Sequence, residues 1–145
     1  MAELKRKAHA VWSGDLRQGN GQMSTESGVV DEAGYSFHTR FENEPGTNPE
    51  ELIAAAHAGC YSMALANELA EAGYTPERVE TEATCTLASQ DGGFKIAKML
   101  LEPQVLAPGI DETKFQEIVH TADQHCPVSN LLREGLEIEI KARLG

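Results

Sequence analysis

The feature that most constrains this chain is a stretch over residues 52–67 that carries no formal charge. Asn48 is a favourable N-cap, Pro49 suits the first helical position, and Gly73 follows the apolar run. These signals predict a helix over residues 49–72. Because nearly every face is apolar over about four turns, we expect this helix to be buried all round. A chain of 145 residues barely surrounds such a helix, so the pattern favours a dimer.

Composition narrows the class of protein. Hydrophobic residues fill 41% of the 145 positions, which predicts one compact domain over residues 1–145. The net charge of −11 disfavours nucleic acid and anionic membrane surfaces as partners. The apolar helix is shorter than the roughly twenty apolar residues of a membrane span, and no secretion-signal core follows Lys5, Arg6 and Lys7. We therefore expect a cytoplasmic protein that binds neither nucleic acid nor membrane.

Alternation, turn signals and caps predict the remaining elements. Asp91, Gly92 and Gly93 form a turn between two aliphatic and β-branched runs, which predicts a long hairpin. Pro127 is a favoured first helical residue and predicts that a short helix begins there. The predicted elements are strands over 4–12, 22–25 and 35–38, an exposed connection over 41–48, hairpin strands over 79–88 and 94–107, a helix over 112–125, a short helix over 127–132 and a strand over 136–143.

Three widely separated cysteines in a chain of this size do not indicate a structural disulfide framework. Cys60 lies inside the apolar helix, where a thiol is ordinarily a small core residue. Cys126 lies at a helix N-terminus, where N–H groups and the dipole favour thiolate over thiol. A thiolate that attacks a peroxide becomes a sulfenic acid, which a second thiol converts to a disulfide, so these two cysteines are a candidate redox pair. Cys85 alternates with its strand neighbours and is interpreted as a core residue.

A thiol peroxidase also needs a cation near its nucleophile, and Arg40 is the candidate. Phe37 and Phe41 flank Arg40, so its guanidinium is a candidate for partial burial. A partly buried guanidinium lowers the pKa of a nearby thiol and donates to peroxide oxygens. The alternative is a surface arginine paired with a local carboxylate such as Glu42.

Other functions also fit parts of the sequence. A zinc site is one alternative, with ligands drawn from His57, Cys60, His125 and Cys126, although no C-x-x-C or H-x-x-x-H pair occurs. Ser129 lacks a G-x-S-x-G context and is interpreted as a residue of the first turn of a helix. We expect no metal and no cofactor. A small-ligand-binding dimer and a structural dimer with inert thiols also remain alternatives.

Three separated motifs, in matching order and spacing, resemble the osmotically inducible protein C (OsmC) family of peroxidases. They are residues 37–42 (Phe-His-Thr-Arg-Phe-Glu), residues 46–65, which include Cys60, and residues 126–129 (Cys-Pro-Val-Ser). Residues 24–29 and 108–111 extend the resemblance over almost the whole chain.

The resemblance implies an α+β fold and an intertwined homodimer, in which two long central helices are buried between antiparallel β-sheets built from both subunits. It also implies reduction of organic hydroperoxides and, less efficiently, of hydrogen peroxide, in defence against oxidative or osmotic stress. The expected reductant is a dithiol, and some relatives use dihydrolipoyl proteins. The preferred peroxide is left open.

Carried over by position, the resemblance implies a role for each candidate residue. Cys60 resembles the peroxidatic cysteine, Cys126 the resolving cysteine, Arg40 the activating cation and Glu50 the carboxylate that orients it. Arg17 is the reserve cation, because a sister branch takes its arginine from nearer the N-terminus. Glu50 and Cys60 lie about 15 Å apart along one helix, so if both serve one site, Glu50 comes from the other subunit. Otherwise, Glu50 stabilises the helix dipole.

Overall fold

The computed structural model describes residues 3–136 and 138–144. Among these, one compact unit comprises the residues up to Ile53 together with Thr86–Ala97, and a second comprises Ala54–Cys85 together with the residues from Lys98 onward. The elements in chain order are β1 (Ala8–Ser13), β2 (Asn20–Thr25), β3 (Ala33–Tyr35), α1 (Phe37–Phe41), α2 (Pro49–Glu71), β4 (Arg78–Gln90), β5 (Gly93–Leu106), α3 (Glu112–His125) and α4 (Pro127–Glu134). The fold is therefore α+β.

The first unit contains a three-stranded antiparallel sheet in the order β1-β2-β3. Gly21 pairs with Trp12 on one side and with Tyr35 on the other. A side chain at position 21 would meet the Val11 carbonyl oxygen at 2.6 Å, so the glycine permits this close pairing. The rings of Trp12 and Tyr35 lie 5.4 Å apart across it.

The strand predicted over residues 35–38 is wrong beyond Tyr35, because α1 begins at Phe37. Ser36 caps α1: its hydroxyl accepts from the Thr39 N–H at 3.3 Å, and the Thr39 hydroxyl accepts from the Ser36 N–H at 2.8 Å. This reciprocal capping box satisfies two helix-end donors and outweighs the strand-like alternation of aromatic side chains. The first strand also begins at Ala8 rather than at residue 4.

Helix α2 confirms the predicted helix to within one residue at its C-terminal end. Its buried side carries residues spaced four apart: His57, Tyr61, Leu65 and Leu69. The opposite side is exposed and carries Ala55, Ala56, Gly59 and Met63. The prediction that α2 is buried all round is thus wrong for the single chain, in which 77% of Met63 is accessible. The physical reason is that the elements of one chain cover only one side of the helix.

Strands β4 and β5 form the predicted hairpin, joined by Asp91 and Gly92. Such a short connection makes the pair antiparallel. The burial of β4 alternates residue by residue from Arg78 to Leu87. The half-buried side carries Val79, Thr81, Ala83, Cys85 and Leu87.

The core of the second unit lies where α2 meets α3 and the start of α4. Its buried members are Tyr61, Leu65, Leu69, Ile118, Ala122 and Cys126. The Tyr61 hydroxyl donates to the Val119 carbonyl at 2.9 Å, which ties α2 to α3. Both helices begin where they are predicted to: Asp111 caps α3, and α4 begins at Pro127. Helix α4 ends at Glu134, two residues beyond its predicted end. Among the described helices, none is long and apolar enough to cross a membrane.

The strand predicted over residues 136–143 is wrong for the single chain. In its described part, residues 136 and 138–143, no strand is present. Ile138 is 77% exposed and Ile140 is 82% exposed. Alternation selects one face of a strand, but a strand also needs a neighbour to complete its ladder, and the described strands of this chain do not pair with the segment.

Candidate functional site

The two candidate redox cysteines lie together in the second unit. Cys60 is on α2 and Cys126 is the N-cap of α4. Their sulfur atoms lie 3.5 Å apart. Both are thiols in this structure, Cys60 half-buried and Cys126 fully buried. A disulfide requires about 2.05 Å between sulfurs, so an approach of roughly 1.5 Å would join them.

The first turn of α4 donates hydrogen bonds to both sulfurs. The Ser129 N–H donates to Cys126 Sγ at 3.5 Å, and the Val128 N–H donates toward both thiols. Burial raises the pKa of Cys126, but its hydrogen bonds with Ser129, Cys60 and Val128 outweigh burial, so the net pKa is lowered. Burial raises the pKa of Cys60, and the hydrogen bond with Cys126 raises it further. Within one chain, negative charge is therefore favoured on Cys126.

Arg40 and Glu50 form a bidentate ion pair in the first unit. The Arg40 Nε donates to Glu50 Oε1 at 2.9 Å, and its Nη2 donates to Oε2 at 3.0 Å. The Glu50 side chain is 8% exposed and that of Arg40 is 35% exposed. Two parallel charge-assisted bonds fix the plane of the guanidinium as well as its position. The pair forms within one chain.

Local capping explains why Arg40 meets Glu50. The Asn48 side-chain oxygen accepts from the Glu51 N–H at 2.8 Å, and its amide donates to the Thr39 carbonyl at 3.1 Å. Asn48 thus begins α2 and ties it to α1. Gly46 lies in the connection with φ at +146°, and a side chain there would meet Thr39 Cγ2 at 2.7 Å. The loop therefore needs glycine to pass this close to α1.

Aromatic side chains surround Arg40 in the first unit. A cavity of about 300 Å³ is lined by Trp12, Leu16, Tyr35, Ser36, Phe37, Arg40 and Phe41. The Arg40 guanidinium lies 5.3 Å from the centre of the Phe41 ring. Phe41 in turn lies 4.4 Å from Phe94. The cavity combines an apolar wall with one fixed cation, an arrangement suited to a small ligand with a polar end.

Arg17, the reserve cation, also lies in the first unit. Its guanidinium is 4.8 Å from the centre of the Phe37 ring, which is a cation–π distance. Cys85 lies on the half-buried side of β4, as a core residue would.

A buried hydrogen bond links α2 to α4 beside the cysteines. His57 Nε2 lies 2.7 Å from Ser129 Oγ, and both residues are 4% exposed. Burial is the main cause that lowers the pKa of His57. From the sequence alone, His57 is a candidate zinc ligand or core residue, and Ser129 is a residue of the first turn of a helix. The sequence does place Ser129 third in the helix that Cys126 caps, and this position is a signal that Ser129 lies near the Cys126 sulfur.

The two histidines of the alternative zinc site take separate partners. His57 bonds to Ser129, whereas His125 Nδ1 lies 2.6 Å from Glu68 Oε1. In the part of the chain that the structure describes, no group of three or more His, Cys, Asp or Glu side chains is arranged to hold a metal ion.

Comparison with known proteins places these motifs in a family. The profile of the family described as OsmC-like protein matches residues 41–141. The chain is 46% identical over 140 residues to peroxiredoxin OsmC of Escherichia coli, covering 97% of this chain and 98% of that one. It is 30% identical over 124 residues to the organic hydroperoxide resistance protein OhrB of Bacillus subtilis, covering 85% and 89%.

Solved structures agree with the sequence comparison. The crystal structure of OhrB of Bacillus subtilis superposes with a TM-score of 0.64 at 28% identity, covering 88% of this chain and 91% of that one. An organic hydroperoxide resistance protein from Elizabethkingia anophelis superposes with a TM-score of 0.69 at 26% identity, covering 94% of both chains. The chain belongs to the OsmC family.

Proposed function

We propose that this chain is a thiol-dependent peroxidase that reduces organic hydroperoxides and, less efficiently, hydrogen peroxide, in defence against oxidative or osmotic stress. Cys60 attacks the peroxide and Cys126 resolves the product. The observation that carries the proposal is the 3.5 Å separation of two sulfurs under the N–H donors at the start of α4. The names of the relatives, a peroxiredoxin and an organic hydroperoxide resistance protein, support the same chemistry.

The reaction proceeds in three steps: oxidation of Cys60, formation of the disulfide and reduction of the disulfide. The Cys60 thiolate attacks one peroxide oxygen, the O–O bond breaks, and the alkoxide takes a proton and leaves as an alcohol, which oxidises Cys60 to a sulfenic acid. Cys126 then attacks the Cys60 sulfur, the S–O bond breaks, and the oxygen leaves as water. A dithiol finally reduces the Cys60–Cys126 disulfide and becomes a disulfide itself.

Cys60 needs a cation, and no described residue that shifts its pKa is one. Burial and the neighbouring thiol raise the pKa of Cys60, whereas attack on a peroxide requires the thiolate. We assign this cation to Arg40, held in plane by Glu50. Glu50 and Cys60 lie on one helix with about 15 Å of axial rise between them. We therefore assign the Arg40–Glu50 pair at each site to the other subunit of a homodimer.

The exposed side of α2 supports the homodimer. Ala55, Ala56 and Gly59 carry small side chains or none, so a second helix can approach closely there. Met63 adds a large apolar side chain that is 77% exposed in the single chain. Covering this side with the α2 of a second copy removes the apolar surface from water.

The cavity beside Arg40 supports an organic substrate. Its walls are largely aromatic, so the carbon part of a hydroperoxide can leave water while the peroxide oxygens face the guanidinium. Hydrogen peroxide has no carbon part and gains nothing from these walls, which is why we expect it to be the poorer substrate. The reductant in this proposal is a dithiol, such as a dihydrolipoyl protein. The proposed location is the cytoplasm, where thiols are kept reduced.

A peroxidase assay of the purified protein tests the proposal. A small alkyl hydroperoxide, an aromatic hydroperoxide and hydrogen peroxide are supplied in turn with a dithiol as the reductant, and peroxide loss is measured. We expect turnover with kcat/KM highest for the organic peroxides. Absence of turnover with all three peroxides would overturn the proposal.

A further inference from the structure

The resolving cysteine is connected to a buried histidine through one hydroxyl group. Ser129 Oγ lies 2.7 Å from His57 Nε2, and the Ser129 N–H donates to Cys126 Sγ at 3.5 Å. A hydrogen bond from the Ser129 side chain also lowers the pKa of Cys126. None of these three residues is more than 4% exposed. The path from Cys126 through Ser129 to His57 is therefore closed to bulk water.

The helix start explains how Ser129 reaches both neighbours. Cys126 is the N-cap of α4 and Ser129 is the third helical residue, the position whose side chain can reach back to the cap. The Ser129 hydroxyl can accept one proton while donating another, because it rotates freely about its C–O bond. A serine here can thus pass a proton between a sulfur and an imidazole.

The second ring nitrogen of His57 indicates more than a packing role. His57 Nδ1 is buried and has no hydrogen-bond partner among the residues that the structure describes. An orphaned buried polar atom opposes folding, and an apolar or amide side chain would avoid or reduce that cost. An imidazole, however, is the side chain that exchanges a proton near neutral pH.

We infer that His57 and Ser129 form a proton relay for Cys126 in the resolving step, an inference that rests on the proposed peroxidase function. The Cys126 proton passes to Ser129 Oγ as the Ser129 proton passes to His57 Nε2. The freed sulfur attacks Cys60, the S–O bond of the sulfenic acid breaks, and the leaving oxygen takes up one proton to become water. His57 returns the proton that it received, so the step consumes none overall.

The charged groups around His57 leave it ready to accept a proton. Burial keeps the ring neutral by lowering its pKa. Asp123 of α3 raises that pKa and Arg133 of α4 lowers it, and these two side chains pair with each other at 2.6 Å. A neutral imidazole beside a serine hydroxyl is a general base, and here the relay delivers its effect to a thiol.

A single-turnover experiment tests the relay. The reduced protein is mixed with one equivalent of an alkyl hydroperoxide, quenched with a thiol-blocking reagent and analysed by mass spectrometry for thiol, sulfenic acid and disulfide. We expect Ser129→Ala and His57→Gln to slow the conversion of sulfenic acid to disulfide by about tenfold or more. Ser129→Thr retains the hydroxyl and should recover most of the rate. The pH profile of this step should lose one ionisation in His57→Gln.

Ser62→Ala is the matched control. Ser62 is also on α2 and donates to Thr81 Oγ1 at 2.8 Å, so its loss removes a comparable hydrogen bond away from the cysteines. We expect wild-type resolution in this variant. If wild-type protein forms the disulfide and the His57 and Ser129 variants form it equally fast, the relay is wrong while the peroxidase function stands. If wild-type protein forms neither sulfenic acid nor disulfide, the peroxidase function itself is wrong.

A second measurement separates the relay from a folding defect. In a Cys60→Ser background, the ultraviolet absorbance of the Cys126 thiolate is titrated with pH, and the Cys60→Ser/Cys126→Ser protein is subtracted to remove Cys85. Adding Ser129→Ala should raise the titration midpoint of Cys126 by about one pH unit. An unchanged midpoint in a folded variant would contradict the hydrogen-bonded path.

Discussion

The sulfur of Cys126 lies 3.5 Å from the sulfur of Cys60, although 66 positions separate the two cysteines in the sequence. The two are brought together because α2 packs against the junction of α3 and α4. The N–H groups at the start of α4 face both sulfurs. They stabilise a thiolate on either cysteine.

Replacing Arg40 tests the source of the cation. Arg40→Lys keeps the charge but loses the planar fork that binds Glu50 at two points, so we expect kcat/KM to fall at least tenfold with the fold intact. Steady-state kinetics and circular dichroism measure the two effects. Arg17→Lys is the matched control and should stay near wild type. Near-full activity in Arg40→Lys together with its loss in Arg17→Lys would transfer the role to Arg17.

Removing the charge of Arg40 tests how far Glu50 depends on it. Arg40→Met leaves a carboxylate that is 8% exposed without its partner, so we expect the free energy of unfolding to fall by about 3 kcal/mol. Arg78→Met removes the exposed pair with Glu80 and should cost less than about 1 kcal/mol. Urea unfolding at constant m-value measures both. Equal losses of unfolding free energy in the two variants would mean that the buried Glu50 carboxylate does not need Arg40 as its partner.

Mixing two inactive proteins tests the shared site. Glu50→Ala and Cys60→Ser protomers are mixed under conditions that exchange subunits, which gives heterodimers with one site complete and one lacking both residues. Peroxidase activity should then reappear. Adding Met63→Glu to both parents places charges on the exposed side of α2 and should prevent recovery. If native mass spectrometry shows exchange and no activity returns, Glu50 does not act across an interface.

His57 should make stability depend on pH. Burial lowers the pKa of His57 in the folded chain from the ordinary value of 6.5. As the pH falls below about 6.5, His57 is therefore protonated in the unfolded chain before it is protonated in the folded chain. Stability should therefore fall as the pH drops below 6.5, and His57→Gln should flatten this fall. The measurement is the urea midpoint against pH.

His38 is the control for this prediction because its pKa is shifted the other way. The His38 Nδ1–H donates to the Glu42 carboxylate, which raises the pKa of His38. The contribution of His38 to stability is therefore present at low pH and fades as the pH rises through the raised pKa. His38→Gln should leave the acid-side fall in place. An identical pH dependence in wild-type protein and His57→Gln would show that His57 is not buried in its neutral form.

Elements with strong local signals could be predicted from the sequence. Asn48 and Pro49 mark the start of α2, and Asp111 marks the start of α3. Short helix α1 was missed because Ser36 and Thr39 form a capping box without the usual acidic or amide residue. The predicted strand over 136–143 is wrong for the single chain because an alternating pattern shows which side of a strand is apolar but does not supply the neighbouring strand that it must pair with.

The site was only partly predictable, for a different reason. Cys126 before Pro127 is a local signal for a polarised thiol. The contact of His57 with Ser129 joins residues 72 positions apart and leaves no local pattern. Arg40 and Glu50 were candidates by family resemblance, and their bidentate geometry depends on how Asn48 ties α2 to Thr39.

The most direct test is the fate of one equivalent of alkyl hydroperoxide in the two cysteine variants, followed by mass spectrometry. Cys126→Ser should consume the equivalent and stop as a sulfenic acid on Cys60, because no resolving thiol remains. Cys60→Ser should consume none and show no turnover, whereas Cys85→Ser should behave as wild type. Substantial steady-state activity in Cys60→Ser, or a sulfenic acid on Cys126, would contradict the assignment of Cys60 as the nucleophile.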